Sequence, residues 1–142
     1  MHILNGPNLS RLGRREPQVY GTTTLAELAG LCAGWAAALD LELTFDQCEG
    51  EGELVSLVHR AGDQADGLIL NAGAYTHTSV AVRDAVTSIS IPVIEIHLSN
   101  PAAREPFRRQ NLLEDVVCAG IRGFGVDSYR LALEGLAARL RS

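Results

Sequence analysis

Apolar residues in this chain follow two alternating patterns. Short apolar runs at residues 2–5 (HILN), 41–46, 67–71 (GLILN), 92–97 (PVIEIH) and 116–122 predict five strands. The third and fourth are almost unbroken, as in strands covered on both faces. Helical spacing lies between them. Thr24-x-x-Glu27 has the form of a capping box and opens a stripe of Leu25, Leu28, Cys32, Trp35, Ala36 and Leu39. A second helix carries Leu54, Leu57, Val58 and Ala61. A third begins near Ser79, capped by Thr78 or Ser79, and carries Val82, Ala85, Val86 and Ile89. The last starts about Asp127, read as its N-cap, and runs through Leu133, Leu136, Ala137 and Leu140. A short helix is expected within 100–115.

The chain has no internal repeat, low-complexity tract or linker, and its 142 residues suit a single domain, 1–142. Repeated βα units give a parallel sheet with helices on both faces. Five strands in so short a chain predict an α/β, flavodoxin-like, doubly wound sheet of order 2-1-3-4-5. In that order strands one, three and four are neighbours. Ligands bind beyond the carboxyl ends of such strands. There the chain places Asn5 to Asn8, Asn71 to His77 and His97 to Asn100, so these polar turns should converge on one cleft.

Composition narrows the function. With 46% apolar and 20% charged residues the chain reads as an ordinary globular protein. A net charge of -5 argues against nucleic acid as a partner. No apolar run approaches the roughly 18 residues of a membrane span, and the Met1 end lacks the charged and apolar regions of a signal peptide. A cytoplasmic enzyme is therefore expected. The three cysteines contain no CxxC, which disfavours disulfide and zinc readings. Cys32 and Cys118, in apolar stretches, read as small core residues.

Three loops carry the candidate chemistry. NGPNLSRLGRREPQVYG, after strand one, is too long and polar for a tight turn, and such connections are often functional lids. It holds Arg11, Arg14, Arg15 and Tyr20, with Gly6, Gly13 and Gly21 as candidate hinges. Its arginines suit an anionic ligand, against the plainer reading of a solvated basic loop. It lacks the glycine patterns of dinucleotide and P-loop sites. NAGAYTHTSVAVRDA, after strand three, offers Asn71 and His77 as hydrogen-bonding groups, although Asn71 serves equally as a strand cap. Arg83 and Asp84 read as surface charges. On strand four, period two sets Glu95 and His97 on the same side, about 6–7 Å apart along the strand. A carboxylate beside an imidazole fixes its tautomer and suits it to general acid catalysis, while a satisfied core histidine is the commoner outcome of E-x-H.

Together these segments resemble the type II 3-dehydroquinases over nearly the whole length. The matching motifs are LNGPNLSRLGRREPQVYG at 4–21, GELV at 52–55, LILNAGAYTHTSVAVRDA at 68–85, IPVIEIHLSN at 91–100, ARE-x-FR at 103–108 and GFGVDSYRLAL at 123–133. The resemblance implies a flavodoxin-like lyase that works without metal or cofactor. It would dehydrate 3-dehydroquinate to 3-dehydroshikimate through an enolate, in the shikimate pathway or in quinate breakdown. It implies Tyr20 as base, supported by Arg15, since a phenol with an ordinary pKa near 10 needs a neighbouring cation to act at neutral pH. Asn8 would serve the enolate oxygen through an ordered water. His97 would protonate the departing hydroxyl and Glu95 would orient it. Asn71 and the Leu98–Ser99 backbone would cradle the substrate carboxylate. His77, Asp84 and Arg108 would contact ring hydroxyls, with Asp84 reaching a neighbouring subunit's site in trimers assembled into a homododecamer. Arg11 is counted with the substrate-binding residues.

The chain departs from the family pattern in places. Cys48 and Glu49 stand where serine and asparagine are common, Pro101-Ala102 precedes ARE, and Arg109-Gln110-Asn111-Leu112-Leu113 replaces HHSYL. The rival readings are a flavodoxin-like small-ligand-binding module, such as a flavin carrier or receiver domain, and a family member kept for a structural role. A receiver would need acidic residues at the end of strand one, where this chain has NGPN.

Overall fold

The computed structural model describes all 142 residues. Five parallel strands, β1 (His2–Asn5), β2 (Thr44–Gln47), β3 (Leu68–Asn71), β4 (Val93–His97) and β5 (Ala119–Arg122), form one sheet of order β2-β1-β3-β4-β5. This is the expected order. The helices are α1 (Pro17–Tyr20), α2 (Leu25–Ala38), α3 (Glu51–Gln64), α4 (Val80–Ser88) and α5 (Asp127–Arg141).

Alternation along the strands divides the core into two layers. Ile3, Ile69, Ile94 and Ile96 face α2 and α5, meeting Leu28, Cys32, Leu133 and Leu136. Leu4, Leu68, Leu70 and Val93 face α3 and α4, meeting Leu54, Val58, Val82 and Val86. The register pairs Asn5 with Asn71, so both amides end their strands side by side on the α5 face. Glu95 and His97, opposite in parity to Ile94 and Ile96, lie on the other face.

Local signals place the helix starts. The Thr24 hydroxyl accepts from the Glu27 N–H while the Glu27 carboxylate accepts from the Thr24 N–H, completing the capping box. Such a cap contributes about 1 kcal/mol. Ser79, rather than Thr78, caps α4 by accepting from the Val82 N–H at 2.9 Å. Asp127 is not an N-cap. It is the first residue of α5, and its carboxylate accepts from Arg130 at 3.1 Å.

Some boundaries differ from the sequence pattern. Residues 41–43, Leu41-Glu42-Leu43, are irregular, because β1 offers pairing only from His2 opposite Thr44. Likewise β5 begins at Ala119 opposite Ile94, and Val116 and Val117 turn back onto the Leu113 carbonyl. Between 100 and 115 there are two 3-10 turns, Pro101–Ala103 and Pro106–Arg109, instead of one helix, since a proline opening each turn cannot sit inside a longer helix. Cys118 is exposed beside the edge strand, not in the core. Cys48 is the second buried cysteine, and burial pushes its thiol up to about 11.

Gly6 is a packing glycine, not a hinge. It is buried, its N–H donates to the Asn71 carbonyl at 2.8 Å, and a Cβ there would stand 2.7 Å from the Ala72 oxygen. That close approach holds the loop after β1 against the end of β3, where the polar turns meet.

Candidate active site

The ends of β1, β3 and β4 open into a cleft of about 90 Å3. The loop after β1 contributes Asn8, Arg15 and Tyr20. The end of β3 and the turn that follows contribute Asn71 and His77. The end of β4 and the two proline turns contribute His97, Leu98, Ser99, Arg104 and Arg108. Three guanidinium groups line the cleft and no carboxylate does, so it attracts an anion.

Tyr20 ends α1, a single helical turn that the sequence pattern did not reveal. Pro17 opens the turn and Gly21, at φ 79°, closes it. Two cations attend the phenol. The Arg15 guanidinium carbon lies 5.5 Å from the ring centroid and that of Arg104 lies 5.3 Å away. Arg104 also donates from Nη1 to the Tyr20 hydroxyl oxygen at 2.6 Å. Positive charge therefore stands where a phenolate would form.

On the opposite wall, His97 Nε2 is 3.0 Å from Glu95 Oε1. Glu95 also accepts from the Thr76 hydroxyl at 2.7 Å and from Asn111 Nδ2 at 2.7 Å. Burial pushes the Glu95 carboxyl up. The bond from His97, the imidazole charge and the bonds from Thr76 and Asn111 together outweigh it, and hold the group below its ordinary 4.5. An ionised Glu95 can only accept, so His97 Nε2 carries a proton. Nδ1 is then the ring nitrogen at which a proton can be exchanged. The His77 ring lies nearly parallel to that of His97, 6.5 Å away, with its Nδ1 2.6 Å from the Gln110 carbonyl.

An anion cradle lies at the strand ends. The backbone N–H groups of Leu98 and Ser99 donate to no protein group. Nearby Asn71 accepts from the Gly73 N–H at 3.3 Å and donates to Tyr129 at 3.0 Å, leaving one amide hydrogen free. No group of three His, Cys, Asp or Glu side chains is arranged to hold a metal ion.

A phenol between guanidiniums and a carboxylate-backed imidazole across one small anion-attracting cleft suit proton removal and proton delivery on the same substrate. The family model for class II dehydroquinases matches residues 1–137. This chain belongs to the class II dehydroquinases. It is 54% identical to the 3-dehydroquinate dehydratase of Dinoroseobacter shibae, with 99% of this chain and 95% of that protein covered. It is 53% identical to that of Bacillus licheniformis, covering 92% and 90%. The crystal structure of the type II dehydroquinase from Propionibacterium acnes superposes with a TM-score of 0.94 at 40% identity, over 97% of this chain and 95% of that one.

Three residues singled out from the sequence of this class II dehydroquinase do not line its cleft: Glu95, buried behind His97, and the exposed Arg11 and Asp84. Arg11 lies in the turn Leu9–Arg11, while Asp84 lies on α4. Asn8 stands at its rim in a left-handed conformation, φ 67°, with its N–H donating to Glu49 Oε2 at 2.7 Å. Glu49 also accepts from the Ser10 hydroxyl and from Gln47 at 2.8 Å. Bonds from Ser10 and Asn8 hold its carboxyl below the ordinary range. This departure from the family pattern thus fastens the loop bearing Asn8. Asn111, another departure, supports Glu95.

Arg104 stands inside the ARE-x-FR motif, yet the sequence pattern alone gave it no role. The pattern also missed Thr76 and Tyr129. The available signal was a polar residue in a matched motif with no assigned partner.

Proposed function

We propose that this chain is a hydro-lyase converting 3-dehydroquinate to 3-dehydroshikimate, with residues 1–142 acting as one catalytic domain. The observation that carries this reading is the facing pair across one cleft: Tyr20 held by Arg104 and Arg15, and His97 held by Glu95. Membership of the class II dehydroquinases, and relatives bearing the name 3-dehydroquinate dehydratase, support it.

In this mechanism Tyr20, as phenolate, removes the proton beside the substrate ketone. Electrons move onto the ketone oxygen and give an enolate, which Asn8 stabilises through a water. The enolate then collapses and expels the hydroxyl on the next carbon as His97 protonates it, leaving the conjugated enone and water. Asn71 and the Leu98 and Ser99 N–H groups hold the substrate carboxylate. His77 and Arg108 contact ring hydroxyls. Asp84, outside its own cleft, completes the site of a neighbouring subunit in a trimer, and trimers assemble into a dodecamer. The enzyme works in the cytoplasm without metal or cofactor, in aromatic amino-acid biosynthesis or quinate breakdown.

The decisive experiment is a direct assay of the purified chain on 3-dehydroquinate, following ultraviolet absorbance of the enone product, beside Tyr20→Phe. The wild type should turn over. Tyr20→Phe should lose turnover yet still bind substrate, because only the ionisable oxygen is removed. Absence of turnover in the wild type, or near-normal turnover in the variant, refutes the reading.

A further inference from the structure

Beneath the cleft a chain of hydrogen bonds ends at Asn71, and the proposed chemistry leaves its other members, Tyr129 and Asn5, unused. The Tyr129 hydroxyl, on α5, donates to Asn5 Oδ1 at 2.6 Å and accepts from Asn71 Nδ2 at 3.0 Å. Asn5 Nδ2 in turn donates to the Asp46 carbonyl at 3.1 Å. Tyr129 is 0% exposed, and burial raises its pKa, so the hydroxyl keeps its proton.

Each bond settles the direction of the next. The Asp46 carbonyl can only accept, so Asn5 presents its nitrogen there and its oxygen to Tyr129. Tyr129 spends its one proton on that oxygen and faces Asn71 as an acceptor. Asn71 must therefore turn its nitrogen inward, and the Gly73 N–H at 3.3 Å confirms its oxygen on the opposite side. An amide whose two ends are so assigned cannot flip. Its second N–H is aimed chiefly by Tyr129 and Asn5, which do not line the cleft.

We propose that Tyr129 is a positioning residue for anion binding: with Asn5 it locks the Asn71 amide so that a free N–H faces the substrate carboxylate. The same stretch of chain braces the other half of the cradle. The Gly125 N–H donates to the Leu98 carbonyl at 2.9 Å and the Ser128 hydroxyl to the His97 carbonyl at 3.2 Å. The segment 123–129 thus holds Asn71 and the Leu98–Ser99 amides in one frame. This rests on the reading of Asn71 as a carboxylate contact.

The test is steady-state kinetics on 3-dehydroquinate for the full-length wild type, Tyr129→Phe, Asn71→Ala and the double variant, with melting temperatures recorded for each. Tyr129→Phe keeps the ring and removes the acceptor. It should raise KM about tenfold, since an unlocked amide forfeits much of one hydrogen bond to a charged group. kcat should stay within about threefold, because neither Tyr20 nor His97 is disturbed. Asn71→Ala should raise KM at least as far, and the double variant should be no worse than Asn71→Ala alone. Asn5→Ala, which keeps Tyr129 but removes the acceptor of its proton, should also raise KM and decides the matter if Tyr129→Phe does not fold. A lowered melting temperature with unchanged KM in Tyr129→Phe, or losses that multiply in the double variant, would overturn the locking role. Unchanged KM in Asn71→Ala would instead overturn the carboxylate reading beneath it.

Discussion

Arg104 donates to the Tyr20 hydroxyl oxygen at 2.6 Å across 84 residues of sequence, while Arg15, five residues from the tyrosine, only overlies its ring at 5.5 Å. The nearer residue in the chain is thus the more distant cation at the reacting oxygen. Arg104→Gln should accordingly lower kcat by roughly 10–100-fold, the worth of one hydrogen bond from a charged donor to the oxygen on which charge develops. Steady-state rates of variant and wild type measure it. A raised KM with kcat unchanged would place Arg104 in binding instead.

His97 and Glu95 should act as one unit. His97→Ala is expected to cut kcat by ~10²–10⁴-fold with a smaller effect on substrate binding. Glu95→Gln keeps the shape and removes the charge behind the imidazole, so its loss should be smaller. The double variant should be little worse than His97→Ala alone, because Glu95 reaches the substrate only through His97 at 3.0 Å. Rates of the two singles and the double decide it, and fully multiplicative losses would separate the two roles.

Glu95 also makes stability depend on pH. Its folded-state pKa lies below 4.5, so the folded protein favours the ionised form more than the unfolded chain does. That contribution is complete above the unfolded value near 4.5 and is lost as pH falls through the folded one. Glu95→Gln has no such group. The melting-temperature advantage of wild type over Glu95→Gln should therefore be constant near neutral pH and narrow below about pH 4.5. A gap that widens on acidification would contradict the sign.

Activity should survive borohydride added with substrate, as well as chelators. The chain contains no lysine: all twelve of its Lys+Arg residues are arginine. A Schiff base with the substrate ketone needs an amine nucleophile, and no side chain supplies one. Progressive inactivation dependent on both borohydride and substrate, seen in the same absorbance assay, would expose a covalent route.

The sequence by itself determined the layered fold and the location of the cleft. Strands β3 and β4 are legible because strands buried on both faces read as near-continuous apolar runs, broken here only by the site residues Asn71, Glu95 and His97. The starts of α2 and α4 are legible because Thr24, Glu27 and Ser79 bond within three residues of themselves. Glu95 and His97 share a side because strand periodicity forces it. Tertiary structure decided what those residues meet. Only the fold brings Arg104 to Tyr20, Asn111 and Thr76 to Glu95, and Tyr129 between Asn5 and Asn71. It also removed Arg11 from the cleft and exposed Cys118, which apolar neighbours had marked for the core. Helix and strand patterns repeat locally because backbone geometry does. A side-chain hydrogen bond between distant residues leaves no such period, since its partner is chosen by where the sheet order brings the chain back, and that is a property of the packed molecule alone.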